Sequence, residues 1–314
     1  NLLKIDNSKI VNLEWLGALV FDDPIRQVVK AALDDTRKMG IKIKVITGDY
    51  KETAEAVAGQ LGIKPEDVYS RVTPQEKLKI VERLQQQKEI VAMMGDGVND
   101  APALKKADIG IVVADASAVA QETADMVLLD SNFATIGAAI EEGRRIFANI
   151  NKVLFYLMAN SFAEVVLILG SLLFNLPLPL TAAQILWINL VNDSWPAFAL
   201  TVDLKRPKRI GKILFDREMQ LTVGFISFLT GIMALTLFAV FRSQALIFTV
   251  MAVVPLIYSF SIGSIKNIWL IMAVITGLMF QVLVLYLPVL QTVFKTTALG
   301  GQEWLVVIGS GLAI

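Results

Sequence analysis

Met93-Met94-Gly95-Asp96-Gly97-Val98-Asn99-Asp100-Ala101-Pro102-Ala103-Leu104-Lys105-Lys106-Ala107-Asp108-Ile109-Gly110-Ile111 decides how this chain is read. An apolar run, Ile90 to Met94, reads as a buried strand and empties into a tight glycine turn. Open α/β sheets place their ligands at such carboxyl ends. Asp96 and Asp100 offer hard oxygens of the kind Mg²⁺ prefers, and Asn99 can donate to a phosphate. The plainer alternative is an Asx-type surface turn. An EF-hand is excluded, because Val98 stands where a third oxygen ligand is needed and no acid closes the loop.

Outward from this turn, short apolar runs alternate with amphipathic stretches up to about Arg144. Leu16 to Phe21, Ile43 to Ile46, Ile90 to Met94, Ile109 to Val113 and Met126 to Leu129 read as strands. Ile25 to Met39, Lys51 to Leu61, Pro74 to Gln87 and Ala101 to Ala107 read as helices. This order predicts a parallel sheet covered on both faces, with its active edge at the strand carboxyl ends. Thr47-Gly48-Asp49 falls at such an end, as do Asp96 to Asp100. Thr47 brings a hydroxyl, Gly48 lets a backbone N–H approach a phosphate closely, and Lys77 brings an ammonium to a helix start. Any one of these alone is ordinary surface; together they point to phosphate chemistry. Cysteine and histidine are both absent, which excludes thiolate chemistry, Ser-His catalysis and imidazole-bound zinc within the chain.

After Arg144-Arg145 the sequence turns apolar, so a formal net charge of zero averages two unlike halves. Spans are expected at about Ile146 to Phe174, Leu180 to Val202, Leu221 to Phe241, Ala245 to Ile265 and Ile268 to Leu290, with a shortened one from Trp304. Lys205, Arg206, Lys208, Arg209, Lys212 and Arg217 cluster between the second and third, which puts that side and residues 1–145 in the cytoplasm. Asn160, Ser161 and Glu164 share a face of the first span, and Asn189, Asn192 and Asp193 share one of the second. A hairpin turning these faces together would gather two carboxylates and several amide or hydroxyl oxygens within the bilayer, a cation site by default. Interhelical hydrogen bonding would explain the amides and Ser161, but not the two carboxylates. Pro196 is expected to loosen the second span and free carbonyls.

The string from Met93 to Ile111 resembles, nearly residue for residue, the hinge signature of the P-type ATPases, ion pumps that form an aspartyl-phosphate. Asp23-Pro24-Ile25-Arg26, Val45-Ile46-Thr47-Gly48-Asp49 and Arg71-Val72-Thr73-Pro74-Gln75-Glu76-Lys77 agree with that family in order and spacing, and the resemblance covers essentially the whole chain. It implies an α/β, Rossmann-like, haloacid dehalogenase-type phosphorylation domain, partial and spanning 1–145. An α-helical transmembrane bundle of about six helices, the last truncated, follows over 146–314. It further implies ATP and Mg²⁺ as cofactors, with Thr47, Gly48, Asp49, Lys77 and Asn99 catalytic, Asp96 and Asp100 on Mg²⁺, and Arg26 and Arg71 near the nucleotide. Ala163 to Val166 and Leu186 to Asp193 resemble the fifth and sixth transmembrane helices of the calcium- and sodium/potassium-type pumps. Ser161 stands where two-site calcium pumps carry Asn, Asn192 where they carry Thr, and the span around Tyr258 lacks their acid.

Ca²⁺ is the expected cargo, with Na⁺, K⁺ or H⁺ transport, a membrane-anchored phosphatase and a split subunit as the alternatives. The family's nucleophile motif, Asp-Lys-Thr-Gly-Thr, does not occur in the chain. The expectation is therefore a fragment inactive on its own, whose partners are the amino-terminal part of the same pump, the transported cation and the lipid bilayer. Nothing in the sequence points to nucleic acid.

Overall fold

The computed structural model describes residues 25, 27–130, 134–203 and 214–313, which divide into two compact units, 1–139 and 140–314. The expected strand at Leu16 to Phe21, the residues Asp23, Pro24 and Arg26, and the basic residues Lys205, Arg206, Lys208, Arg209 and Lys212 lie outside the described residues.

In the first unit the order is α1 (Gln27–Lys38), β1 (Val45–Ile46), α2 (Lys51–Gln60), β2 (Val68–Tyr69), α3 (Pro74–Gln86), β3 (Ala92–Met94), α4 (Ala101–Lys106), β4 (Ile109–Val113), α5 (Ala118–Thr123) and β5 (Met126–Leu128). All strand pairs are parallel. β1 pairs with β2 in the register Val45 to Val68, and β3-β4-β5 form a second sheet with Ala92 opposite Ile109 and Ile111 opposite Met126. Among the described residues no strand joins β1 to β3. Both sheets nonetheless share one core, since Ile46 packs against the cluster of Val81, Met93, Leu104, Val112 and Ala120. Side-chain caps start α3 and α5, the latter on Ser117. Thr73 and Glu76 form a reciprocal capping box, with Pro74 pre-set at the first position of α3. At Gly110 a Cβ would lie 2.9 Å from the Leu104 carbonyl, so only glycine lets β4 lie this close to α4. Two elements escaped the sequence reading: β2, which is two residues long, and α5, which lies between two strands.

The second unit is helical. α6 (Ala134–Leu173) is a single helix of 40 residues, followed by α7 (Ala182–Trp187), a π-helical segment (Ile188–Asn192) and α8 (Ser194–Thr201). Then come α9 (Arg217–Phe241), α10 (Gln244–Ile262), α11 (Ile268–Tyr286), α12 (Pro288–Phe294) and α13 (Gly301–Leu312). Four of these (within α6, and α9, α10 and α11) are long and apolar enough to cross a membrane. α10 is apolar on every side and buried throughout, from Leu246 to Leu256, so it forms the middle of the unit. Phe225 and Phe228 of α9 and Ile275 of α11 face outward, as lipid-facing side chains do.

Two expectations need correction. The stretch Leu180 to Val202 is not one helix, because the π segment interrupts it. Pro196 stands four residues beyond the last residue of that segment: it offers no N–H to the Asn192 carbonyl and its ring crowds that carbonyl, so the irregular turn falls where the proline loosens the span. The span expected to run to Leu290 ends at Tyr286, and Pro288 opens a separate short helix.

Candidate functional sites

In the first unit the glycine turn is built around Asp100. Its amide donates to the Gly97 carbonyl at 3.1 Å, and its side chain folds against Gly95, where a Cβ would come within 2.7 Å of the Asp100 Cβ. Lys77, in the first turn of α3, reaches across to donate to Asp100 Oδ1 at 2.5 Å, and both side chains are largely buried. Lys77 and Asp100 thus form an ion pair, whereas the sequence alone presented each as facing a ligand. Asp96 and Asn99 are exposed. The Asp96 carbonyl accepts from the Ser117 amide at 2.9 Å, which fixes the turn and leaves the Asp96 carboxylate facing outward.

The second turn belongs to β1. Thr47 is held by main-chain bonds to Tyr69 and Val72; its hydroxyl donates to Asp49 Oδ2 at 2.9 Å and accepts from the Asp49 amide at 3.1 Å. At Gly48 a Cβ would find only the Val72 carbonyl, 3.9 Å away, so the space beside it is open. Arg71 carries a positive φ of 54°, its amide donates to the Asp49 carbonyl at 2.9 Å, and its guanidinium lies 4.4 Å from the centre of the Tyr50 ring. Tyr50 was not singled out from sequence; an exposed aromatic directly after Thr47 to Asp49 was the available signal. Arg71 also borders a pocket of about 330 Å³ lined by Tyr69, Glu76, Lys79 and Arg83, away from Asp96 and Lys77. No hydrogen bond or ion pair among the described residues joins Thr47 to Asp49 with Asp96 to Asp100.

These residues suit Mg²⁺ in kind. The turn carries two carboxylates, Asp96 exposed and Asp100 packed against Gly95, and no group of three or more acids, His or Cys that could hold a metal ion occurs among the described residues. Mg²⁺ takes one or two carboxylates and fills its remaining positions with water and phosphate oxygens. Glu76 is exposed at the start of α3 and accepts from the Thr73 amide and hydroxyl, which hold its carboxyl below its ordinary range as an anion.

The second unit holds the other site. Glu164 on α6 and Asp193 at the end of the π segment are both buried, 6% and 1% exposed. Asn189 donates to both carboxylate oxygens of Glu164, at 3.2 and 3.0 Å, and also to the Ile185 carbonyl. Tyr156 donates to Asp193 Oδ1 at 3.4 Å, and Tyr258 donates to Asn160 Oδ1. The π turn brings this about: the Asp193 amide bonds back five residues to Ile188, which widens the helix where Asn189 and Asp193 face α6.

Not every expected residue joins. Ser161 is exposed on α6 and touches none of these groups. Asn192 turns to α10, donating to the Ala252 carbonyl at 2.5 Å, with its own oxygen buried near Gly277. Tyr156 was missed, although it lies four residues before Asn160 on the same helical face. A further buried pair was also missed: Lys152 donates to Asp203 Oδ2 at 2.7 Å and to Asn149 Oδ1 at 2.9 Å, while Asn149 donates to the carbonyls of Thr201 and Asp203.

A parallel α/β unit with an acidic glycine turn, followed by membrane-length helices carrying buried carboxylates, defines a multi-pass membrane protein with a haloacid dehalogenase-like domain. Comparison with known proteins agrees. A family model described as "Cation transporting ATPase, C-terminus" matches residues 177–314, and two models of haloacid dehalogenase-like hydrolases match 2–108 and 77–140. A calcium-transporting ATPase of Bacillus subtilis (strain 168) is 37% identical over 349 aligned residues, covering 95% of this chain and 39% of that protein. The calcium-transporting ATPase lmo0841 of Listeria monocytogenes is 39% identical over 230, covering 65% and 26%. The human calcium-transporting ATPase type 2C member 1 is 34% identical over 352, covering 95% and 38%. The chain belongs to the cation-transporting P-type ATPases. It spans about two-fifths of the length of the first of these relatives.

Proposed function

We propose that this chain supplies part of the phosphorylation domain and much of the cation pathway of an ATP-driven Ca²⁺ pump. The observation that carries the reading is the pair Glu164 and Asp193, two carboxylates buried where a spanning segment loses its α-helical regularity. A carboxylate there costs about 3 kcal/mol or more to hold charged, and a bound cation removes that cost. Carboxylate and carbonyl oxygens are hard donors that suit Ca²⁺. The names of the relatives favour the same cargo.

Phosphoryl transfer runs to an aspartate outside this chain, since the chain has no Asp-Lys-Thr-Gly-Thr sequence. Asp96 and Asp100 would hold Mg²⁺, which supplies charge neutralisation at the transferring phosphoryl group. Lys77 keeps Asp100 oriented and adds a positive charge beside it. The open space at Gly48 and the Thr47 hydroxyl receive phosphate oxygens, and Arg71 with Tyr50 lies toward the nucleotide. Residues 1–145 face the cytoplasm, in line with the basic residues between the second and third spans. The isolated chain is inactive toward ATP.

ATP-driven ⁴⁵Ca²⁺ uptake into vesicles by the longer pump containing this chain is the direct test. Glu164→Gln and Asp193→Asn are each expected to lower uptake at least tenfold, with phosphorylation by inorganic phosphate retained. Uptake unchanged in both variants would remove Ca²⁺ transport through this site.

A further inference from the structure

Two buried tyrosines stand at the Asp193 end of the cation site, Tyr156 on α6 and Tyr258 on α10, with ring centres 5.7 Å apart. Tyr156 donates to Asp193 Oδ1. Tyr258 donates to Asn160 Oδ1, and the Tyr156 carbonyl lies 3.4 Å from the same hydroxyl. Asn160 also lies beside the Asp193 carboxylate. An asparagine has one oxygen that can ligate a cation and one NH₂ group that cannot. Here the oxygen is taken by Tyr258, and the buried Nδ2 is the end left over. Turning the amide round would set its oxygen against the Asp193 carboxylate, acceptor against acceptor, so the observed orientation is the favoured one. The Asp193 carboxylate thus has the Tyr156 phenol O–H as its donor, while the Asn160 NH₂ nearby makes no hydrogen bond. In this arrangement the Asn160 oxygen is held by Tyr258 and is not offered beside Asp193 as a further ligand.

We infer that Tyr258 sets the cation affinity of this site by holding the Asn160 oxygen away from the cation, an inference that rests on the cation-site reading above. For Asn160 to become a ligand its amide must leave Tyr258 and rotate, giving up one buried hydrogen bond. Tyr258 is therefore a positioning residue that acts through Asn160 and opposes binding. A tyrosine that ligated the cation directly would favour it. Tyr258→Phe separates the two, because it removes the hydroxyl and keeps the ring against Tyr156.

Equilibrium ⁴⁵Ca²⁺ binding to the chain in lipid nanodiscs tests this. Wild type is expected to bind and Asp193→Asn to lose binding. Tyr258→Phe is expected to lower the half-saturating Ca²⁺ about three- to tenfold, the equivalent of one hydrogen bond. In an Asn160→Ala background the same change should have no effect, since the residue it acts through is gone. A half-saturation unchanged or raised in Tyr258→Phe, with the thermal transition of wild type, overturns the inference and leaves the site reading intact. Absent binding by wild type, or equal binding by Asp193→Asn, removes the site reading and the inference with it. A second readout needs no variant: Ca²⁺-dependent infrared difference spectra of the ring-labelled tyrosines should show a shifted phenolic C–O band, and no shift overturns the inference.

Discussion

Asp100 shows what one residue's surroundings decide. Its carboxylate is 8% exposed, pressed against Gly95 and paired with Lys77, which precedes it by 23 positions. Both residues were legible as chemistry in the sequence. Their pairing was not, because it depends on how α3 and the turn meet in space. Gly95→Ala places a Cβ 2.7 Å from that of Asp100 and must displace it. The expected cost is about 1–3 kcal/mol, as for other overpacked sites. Hydrogen exchange should report it as a loss of protection in α4 of about five- to a hundredfold. Glu76 makes a prediction of the opposite sort, about pH. Its carboxyl is held below the ordinary value of 4.5, first by the Thr73 amide and then by the Thr73 hydroxyl. A lowered folded value means that its contribution is present above the unfolded value and fades as pH falls through the folded one. Protection at the start of α3 should therefore hold steady from neutral pH to about the ordinary carboxylate range and decline below it. Glu76→Gln should flatten that profile.

At the scale of elements, long periodic segments were read well and short or irregular ones were not. α2, α3 and β4 begin where the polar starts and apolar runs of the sequence put them, within a residue or two at the far end. β2 carries two residues, too few for any alternation to show. The break at Ile188–Asn192 is made of ordinary helix-compatible residues, so its one mark in the sequence is Pro196, four residues beyond its end. A π turn is in effect an α-helix with one residue inserted. Deleting Leu190, an exposed residue of that segment, should restore continuous α-helix. Circular dichroism is expected to stay near wild type, while ⁴⁵Ca²⁺ binding is lost because Asn189 and Asp193 no longer address α6 together. Binding retained after the deletion would show that the site does not need the irregular turn. Close packing fixes where α6 and α9 meet: at Gly231 a Cβ would fall 2.6 Å from Val166, and Ser227 donates to the Ala159 carbonyl at 3.0 Å.

For the whole molecule, the division between charged and apolar halves was plain in the sequence, since burial in lipid and in water demand different compositions. The buried contacts that join distant segments were not, and Lys152 with Asp203 is the clearest case: neither residue carries a motif, yet Asn149 and Lys152 together tie α6 to the chain just beyond α8. α6 itself has 40 residues, roughly 60 Å of helix, about twice what a hydrocarbon core requires. Glu141, Glu142, Arg144 and Arg145 lie in its first half, and from Val153 to Leu173 the only formal charge is Glu164. One uninterrupted element therefore lives in two solvents. In deuterated buffer, amides before Lys152 are expected to exchange within minutes to hours and those beyond Val153 to remain protonated for days, a step that peptide-resolved mass spectrometry of the nanodisc-bound chain would read directly. The position of that step would mark the waterline on the protein to within a turn of helix.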